Sequence, residues 1–369
     1  MKIEHIELRY VRIPLVTPFR TSFGTSTDRE TFLLRVVTAD AEGWAECGAE
    51  PDPLYSSEFL GGAEIVLRDQ LVPRVQALGS LLGAERVKTA LDPVKGHQMA
   101  KHVLETAILD AELKTVGFSF GQYLGAVKDR VPAGVSVGIM DSIPELLDAV
   151  GGYLDDGYVR IKLKIEPGWD VEVVRAVRER YGDDVLLQVD ANTAYTLADA
   201  RHLAKLDDFD LLLIEQPLRE DDMRGHADLA KVITTPICLD ESITSARDAA
   251  TAIALGACSV INIKPSRVGG YLEARRIHDI AEANGVPVWC GGMLETGIGR
   301  GPNVALAALP GFVLPGDTSA SSRYFAQDLT APFVLEDGHL AVPTGPGIGV
   351  DVLPDVLEEF TVSTTSIPL

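Results

Sequence analysis

The chain has 369 residues, 46% hydrophobic and 24% charged, a globular composition that excludes collagen-like, disordered and disulfide-scaffold classes. Thirty-three Lys and Arg against 54 Asp and Glu give a formal net charge of −21, which argues against nucleic acid or an anionic membrane as partner. The start, MKIEHIELRYVRIPL, lacks the long apolar core of a signal peptide, and no stretch reads as a membrane span, so a cytoplasmic location is expected.

In chain order, residues 1–50 read as a β-meander. The strands are IEHIELRYVRI, ETFLLRVVTA and GWAECGAE, broken at TSFGTSTD and DAEG. Between residues 57 and 127 the apolar spacing becomes helical, as in SSEFLGGAEIVLRDQLVPRVQAL and KHVLETAILDAELKTV. From about residue 131 short apolar runs alternate with amphipathic ones. The strand-like runs are VPAGVSVG, VRIKLKI, VLLQVD, LLLIEQP, PICLDE, VINIKP, PVWCGG and FVLPGD. Eight such runs in βα order predict a parallel sheet closed into a barrel. The turn-rich tail from about residue 323 is expected to pack back on the N-terminal part. The expected division is an α+β capping domain over 1–128, a barrel over 129–322 and a C-terminal segment over 323–369 that completes the cap.

Charged residues recur at the ends of successive strand-like runs. Lys164 closes VRIKLKI; Asp190, Glu215, Asp240 and Lys264 follow at intervals of 26, 25, 25 and 24 residues. That interval is one βα unit, so one charge falls at the C-terminal end of each of barrel strands two to six, the rim where barrel active sites form. Strands lie about 4.8 Å apart, so three acids on neighbouring ends can converge on one cation. Cys47, Cys238, Cys258 and Cys290 form no CxxC pair and the seven histidines no HxH or HExxH, so any metal is expected to be held by oxygen. An oxygen-only set suits Mg²⁺, with Mn²⁺ or another divalent cation as alternatives. Strands two and six face each other, which puts Lys164 and Lys264 on opposite sides of a bound substrate. Lys162, two residues before Lys164, points to the same side, and the two ammonium groups, together with a divalent cation, are expected to lower a lysine pKa toward that of a general base. Together these groups suit removal of a proton next to a carboxylate whose developing charge a metal stabilises. A lone acid at a strand end is more often a helix cap, and KxK alone is a weak signal; five charges on five consecutive strand ends are harder to dismiss. The glycine-rich GGMLETGIGRG and RVGGY lack the setting of a phosphate loop and read as tight βα turns.

These residues resemble the enolase superfamily, and within it the muconate-lactonizing-enzyme subgroup, over essentially the whole chain. PFRTSFGT, PLYSSE, GVSVGIMD, RIKLKIEPGWD, QVDANTAYT, IEQPL, CLDES, NIKPSRVGG, GGMLETGIGR and LPGDTSAS are most similar to the o-succinylbenzoate synthase / N-acylamino acid racemase family. The resemblance implies a TIM-like (β/α)8-type barrel, modified to (β/α)7β, under an α+β cap. It implies Asp190, Glu215 and Asp240 as Mg²⁺ ligands and Lys164 and Lys264 as the acid/base pair, with Lys162 assisting. It also implies a substrate cavity lined by Ser136, Asn192, Gly292, Met293 and Leu294, with Phe19, Tyr55 and Tyr324 closing it. Those three aromatics are equally readable as core, and Arg267 as either a tuner of Lys264 or a surface charge at a helix start. The implied reactions, on a small carboxylate, are dehydration of a cyclohexadiene hydroxy-dicarboxylate to o-succinylbenzoate in the menaquinone pathway and racemisation of N-succinylamino acids; a homo-oligomer is expected. Dipeptide epimerisation and muconate cycloisomerisation are alternatives on the same fold. An epimerase needs an acid for the dipeptide ammonium, and LPGDTSAS offers Asp317 without a clear DxD pair. Outside the class, a barrel glycosidase would use two carboxylates without a metal, and a non-catalytic barrel would tolerate Lys164→Ala.

Overall fold

The computed structural model describes residues 1–79 and 82–369. The chain opens with three antiparallel strands, β1 (Ile3–Thr21), β2 (Gly24–Thr38) and β3 (Glu42–Glu46). The expected break at TSFGTSTD shrinks to a two-residue turn. Thr21 pairs with Gly24 across Ser22 and Phe23, and the ladder is otherwise interrupted by irregularities between Ile3 and His5 and between Pro14 and Phe19, the latter opposite Thr27. Polar Thr and Ser there serve exposed strand positions rather than a loop. The helix Gln98–Val116 packs on this sheet and buries most of its length. Gly43 permits the contact, because a Cβ there would sit 1.9 Å from the Ala107 carbonyl oxygen. Buried Asp110 of that helix accepts from the Trp44 amide at 2.7 Å and from Lys114 at 2.8 Å.

The barrel follows: β4 (Arg130–Pro132), then β5 (Gly134–Val137), β6 (Arg160–Lys164), β7 (Leu186–Asp190), β8 (Ile214–Glu215), β9 (Ile237–Leu239), β10 (Val260–Ile263) and β11 (Val288–Cys290). The last seven form one parallel sheet in sequence order, covered by helices that bury its outer face, hence the continuous apolar runs. The eighth run forms no strand. Phe312 bridges to Val288 and Gly316 to Ala133, so residues 312–317 close the ring between β11 and β5 by isolated bridges. Pro315, with no N–H to give, prevents a regular ladder there.

The tail docks in stages. β12 (His339–Ala341) pairs with β4, the Ile348 amide donates to Asp110 at 2.8 Å, and β13 (Thr361–Ile367) lies antiparallel on β1 as an edge of the cap sheet. The GIGRG of the expected turn instead begins the buried helix Gly297–Ala307. Its glycines make room for the tail: a Cβ at Gly301 would lie 2.8 Å from the Ile348 carbonyl oxygen. Cap and barrel are joined by buried charge. Glu46, at the end of β3, accepts from Arg29 at 3.2 Å and from the Thr296 amide and hydroxyl at 2.9 and 2.7 Å, and Thr296 caps that helix. Among the described residues no helix is long and apolar enough to cross a membrane.

Candidate active site

Strand register sets the rim. Lys164 pairs with Asp190, Asp190 with Glu215, and Ser136 with Lys162. Asp240 follows β9 directly and Lys264 follows β10. Period two puts Arg160, Lys162 and Lys164 on the lumen side of β6, and all three are buried. The lysine ammoniums point at the acids. Lys164 donates to Asp190 and to the Asn192 side-chain oxygen, both at 2.6 Å. Lys264 donates to Asp240 at 2.7 Å and to the Tyr55 hydroxyl at 2.9 Å. Lys162 lies deeper, 4.8 Å above the Trp289 ring, and binds Glu215 at 3.0 Å and Asp317 at 2.5 Å. β6 and β10 lie four strands apart in the sheet, so Lys164 and Lys264 approach the mouth from opposite sides. Gly291 keeps the Lys264 channel open, since a Cβ there would stand 2.7 Å from its Cε.

Burial pushes the Lys162 ammonium down, but Asp317, Glu215 and Asp190 outweigh burial and hold it well above the usual lysine range. One neighbouring ammonium cannot offset three carboxylates. Lys264 is likewise raised, burial being overcome chiefly by Asp240. Glu215 is pushed up to about 8, first by burial and then by the charge of Asp190. Burial also opposes ionisation of Asp190, yet Lys164 and Lys162 hold it well below the carboxylate range.

The other expected residues separate into two walls. Tyr55 arrives from the cap. Its ring covers Lys264 at 4.8 Å and Arg267 at 5.4 Å, and its hydroxyl donates to Asp240 at 3.0 Å. Arg267 is buried, 3.4 Å from Asp240, which excludes the reading as a surface charge. Opposite, Phe19 stands edge-on to Tyr324 with centroids 6.4 Å apart. Arg323 stacks under both rings and donates to the Ser136 carbonyl oxygen at 2.9 Å. The buried Ser136 hydroxyl has no hydrogen-bond partner. Gly292 borders Asp317 and Glu295; Met293 packs into the cap core, and Leu294, with φ of 58°, against the barrel core. The Asn192 amide is occupied by Lys164 and by Glu241, to which it donates at 2.9 Å.

Sequence reasoning missed Glu241, Asn262 and the role of Asp317. Asn262 donates to Glu215 at 2.6 Å, and Asp317 bridges Lys162 and Arg160, at 2.5 and 2.9 Å, as an internal counter-ion. The available signal was period two: Asn262 precedes Lys264 by two residues, as Lys162 precedes Lys164.

Among the described residues no three His, Cys, Asp or Glu side chains stand grouped around a common centre, because each rim acid is turned onto a lysine. The donor chemistry nonetheless fits a hard divalent cation. Asp190, Glu215 and Asp240 offer only oxygen on three consecutive strand ends, and the buried Asp240 Oδ1 lacks a hydrogen-bond partner.

A parallel barrel gathering acids and two opposed lysines at its C-terminal rim, beneath an α+β cap, defines an acid–base barrel enzyme. Residues 145–356 match the family described as "Enolase C-terminal domain-like", and the chain belongs to the enolase superfamily. It is 66% identical to an N-succinylamino acid racemase from Amycolatopsis sp, over 98% of both chains. It is 46% identical to an o-succinylbenzoate synthase from Geobacillus kaustophilus, over 98% of this chain and 96% of that one. An enolase-superfamily structure from Listeria innocua superposes with a TM-score of 0.95 at 39% identity, covering 100% of this chain and 99% of that one. An L-Ala-D/L-Glu epimerase from Bacillus subtilis stands further off at 28%, over 95% of this chain and 97% of that one, and the epimerase reading is not favoured. A dipeptide epimerase from Cytophaga hutchinsonii, solved with Mg and a dipeptide, superposes at 0.91 with 25% identity and full coverage of both chains.

Proposed function

We propose that the chain is an o-succinylbenzoate synthase of the menaquinone pathway that also racemises N-succinylamino acids. The observation that carries this reading is the pair of lysines on opposite sides of the three rim acids. The two names borne by its relatives support it, and both substrates join a carboxylate to a succinyl arm.

In this reading Asp190, Glu215 and Asp240 hold a divalent cation, Mg²⁺ by preference, which supplies positive charge to the substrate carboxylate when bound. Lys164 removes the proton on the carbon beside that carboxylate. In the dehydration the C–O bond to the ring hydroxyl then breaks, the Lys164 ammonium returns its proton to the departing hydroxide so that water leaves, and the ring becomes aromatic; Lys264 contributes positive charge on the far side. In racemisation one lysine takes the α-proton and the other returns a proton to the opposite face, so no atom is gained or lost. Lys162, pinned to Glu215 and Asp317, remains a cation and neutralises the floor rather than acting as a base. Phe19, Tyr324, Ser136, Gly292 and Leu294 line the side that receives the acyl arm, with Met293 behind them; Tyr55 and Arg267 brace Lys264.

Assay of the purified protein with Mg²⁺ on the cyclohexadiene substrate and on N-succinyl amino acids tests the proposal. Turnover of both is expected. Turnover of neither, with a dipeptide or muconate substrate accepted instead, would overturn it.

A further inference from the structure

Asn192 stands in left-handed backbone, φ 41°, as does Thr193, φ 67°, an unusual conformation for residues with side chains. It is held there by its own amide donating to Asp190 at 3.0 Å and by the Thr193 amide donating to the Gln216 carbonyl oxygen at 2.9 Å. Its side chain then bridges two buried groups: its oxygen accepts from Lys164 at 2.6 Å, and its nitrogen donates to Glu241 at 2.9 Å. The second Glu241 oxygen is buried without a hydrogen-bond partner, so the exchange with Asn192 is the side-chain hydrogen bond that Glu241 makes.

A primary amide has nearly the same shape when turned over, and only its surroundings decide which end faces where. In the structure the Asn192 –NH₂ donates to Glu241 while its oxygen accepts from Lys164, so Glu241, as the acceptor on the far side, holds the amide in that orientation. The consequence falls on the lysine. With N–H bonds directed to Asp190 and Asn192, two of the tetrahedral positions on Nζ are fixed, and the position that carries the shuttled proton or the lone pair is directed elsewhere, to the substrate. With the amide reversed, the –NH₂ would donate to that lone pair and occupy it. Lys264 is tethered by the same logic, by Asp240 and Tyr55, and without an amide.

We infer that Glu241 is a positioning residue for Lys164, acting through the Asn192 amide, and that it serves one face of the substrate only. The inference rests on the two-lysine reading above and deepens it.

The test is α-proton exchange in D₂O from each enantiomer of an N-succinyl amino acid by the Mg²⁺-loaded enzyme. Lys164→Ala first identifies the enantiomer whose proton Lys164 handles. Glu241→Gln, whose amide pairs with Asn192 in either orientation, is expected to slow exchange from that enantiomer by about tenfold or more, since small misplacement of a reacting group costs up to about 10². Exchange from the other enantiomer should stay within about threefold of wild type. Asn192→Ser, which removes the tether directly, should show the same one-sided loss and serves if Glu241→Gln fails to fold. The double variant Glu241→Gln, Asn192→Asp restores a donor facing an acceptor with the charge moved across, and should recover the lost enantiomer relative to either single change. Mn²⁺ affinity, read by electron paramagnetic resonance, should not change in Glu241→Gln. Equal slowing of both enantiomers, unaltered exchange, or no recovery in the double variant would overturn the inference alone. Absence of exchange from both enantiomers in the wild-type enzyme would overturn the two-lysine reading, and this inference with it.

Discussion

The Glu46 contact is the sharpest place to test how cap and barrel are held together. Its side chain and that of Arg29 are 0% and 1% exposed, and it receives three hydrogen bonds, two of them from Thr296, 250 residues away. Glu46→Gln keeps the shape and removes the charge. Arg29 then retains the Cys47 carbonyl oxygen at 2.8 Å and Glu50 at 3.7 Å, a poorer setting for a buried guanidinium. Breaking a buried pair costs about 3–5 kcal/mol. With Glu50 still near, the lower end applies, and about 3 kcal/mol is roughly a hundredfold in the folding equilibrium. Urea unfolding followed by tryptophan fluorescence and far-ultraviolet circular dichroism measures it directly. Replacing Arg29 by Met in the Glu46→Gln background should recover part of the loss, because no unpaired guanidinium then stays buried while the new side-chain carbonyl still accepts from Thr296. A shift below about 0.5 kcal/mol in Glu46→Gln, or a double variant as unstable as the single, would refute the argument, since ordinary surface changes lie within that range.

Exhaustive chelation should abolish turnover and Mg²⁺ or Mn²⁺ restore it; full activity in excess chelator would exclude the metal reading and revive a barrel glycosidase. Phe19→Ala should change the ratio of kcat/KM between the cyclohexadiene substrate and N-succinyl amino acids while leaving metal affinity unaltered, and an unchanged ratio in both Phe19→Ala and Tyr55→Ala would show that the cap does not govern specificity. Tyr55→Phe, which keeps the ring over Lys264 and removes its hydroxyl, should slow exchange from the Lys264 enantiomer more than from the other, measured in the same D₂O assay. Burial pushes the Glu105 carboxyl up to about 8 from its ordinary 4.5, so the folded chain binds a proton there that the unfolded chain releases; its contribution to stability is fullest below about 4.5 and is lost as pH rises to about 8. Glu105→Gln should therefore lose less stability than wild type between pH 5 and 8 in parallel denaturant titrations, and identical pH slopes would contradict the assignment.

Much of this architecture is legible because it repeats. A βα unit of about 25 residues leaves a countable mark, and the five charges stand at or next to strand ends in the register that the spacing implies. The spacing predicts a strand for the eighth unit, yet Pro315 and Gly316 leave it only bridges, and composition alone does not say how far a ladder survives a proline. What the sequence could not disclose is the pairing of charges across the lumen. Lys162 beside Lys164 suggests mutual repulsion, but the acids that decide its state come from β8 and from Asp317, 155 residues away. Glu241 was hidden for a related reason: adjacent to Asp240, it looks like an ordinary helix-start acid until the fold brings Asn192 against it.

The pairing of β13 with β1 has a consequence for how the molecule is made. β1 leaves the ribosome with an exposed edge whose partner, Thr361–Ile367, is synthesised long after it. Throughout elongation the nascent cap therefore presents an unpaired β1 edge over the register Ile6 to Val11, the kind of template on which chains pair with one another. Loss of Thr361–Ile367 would leave that edge open permanently. Deletion of Thr361–Ile367 is then expected to lower solubility while leaving the parallel sheet that carries the rim unaltered.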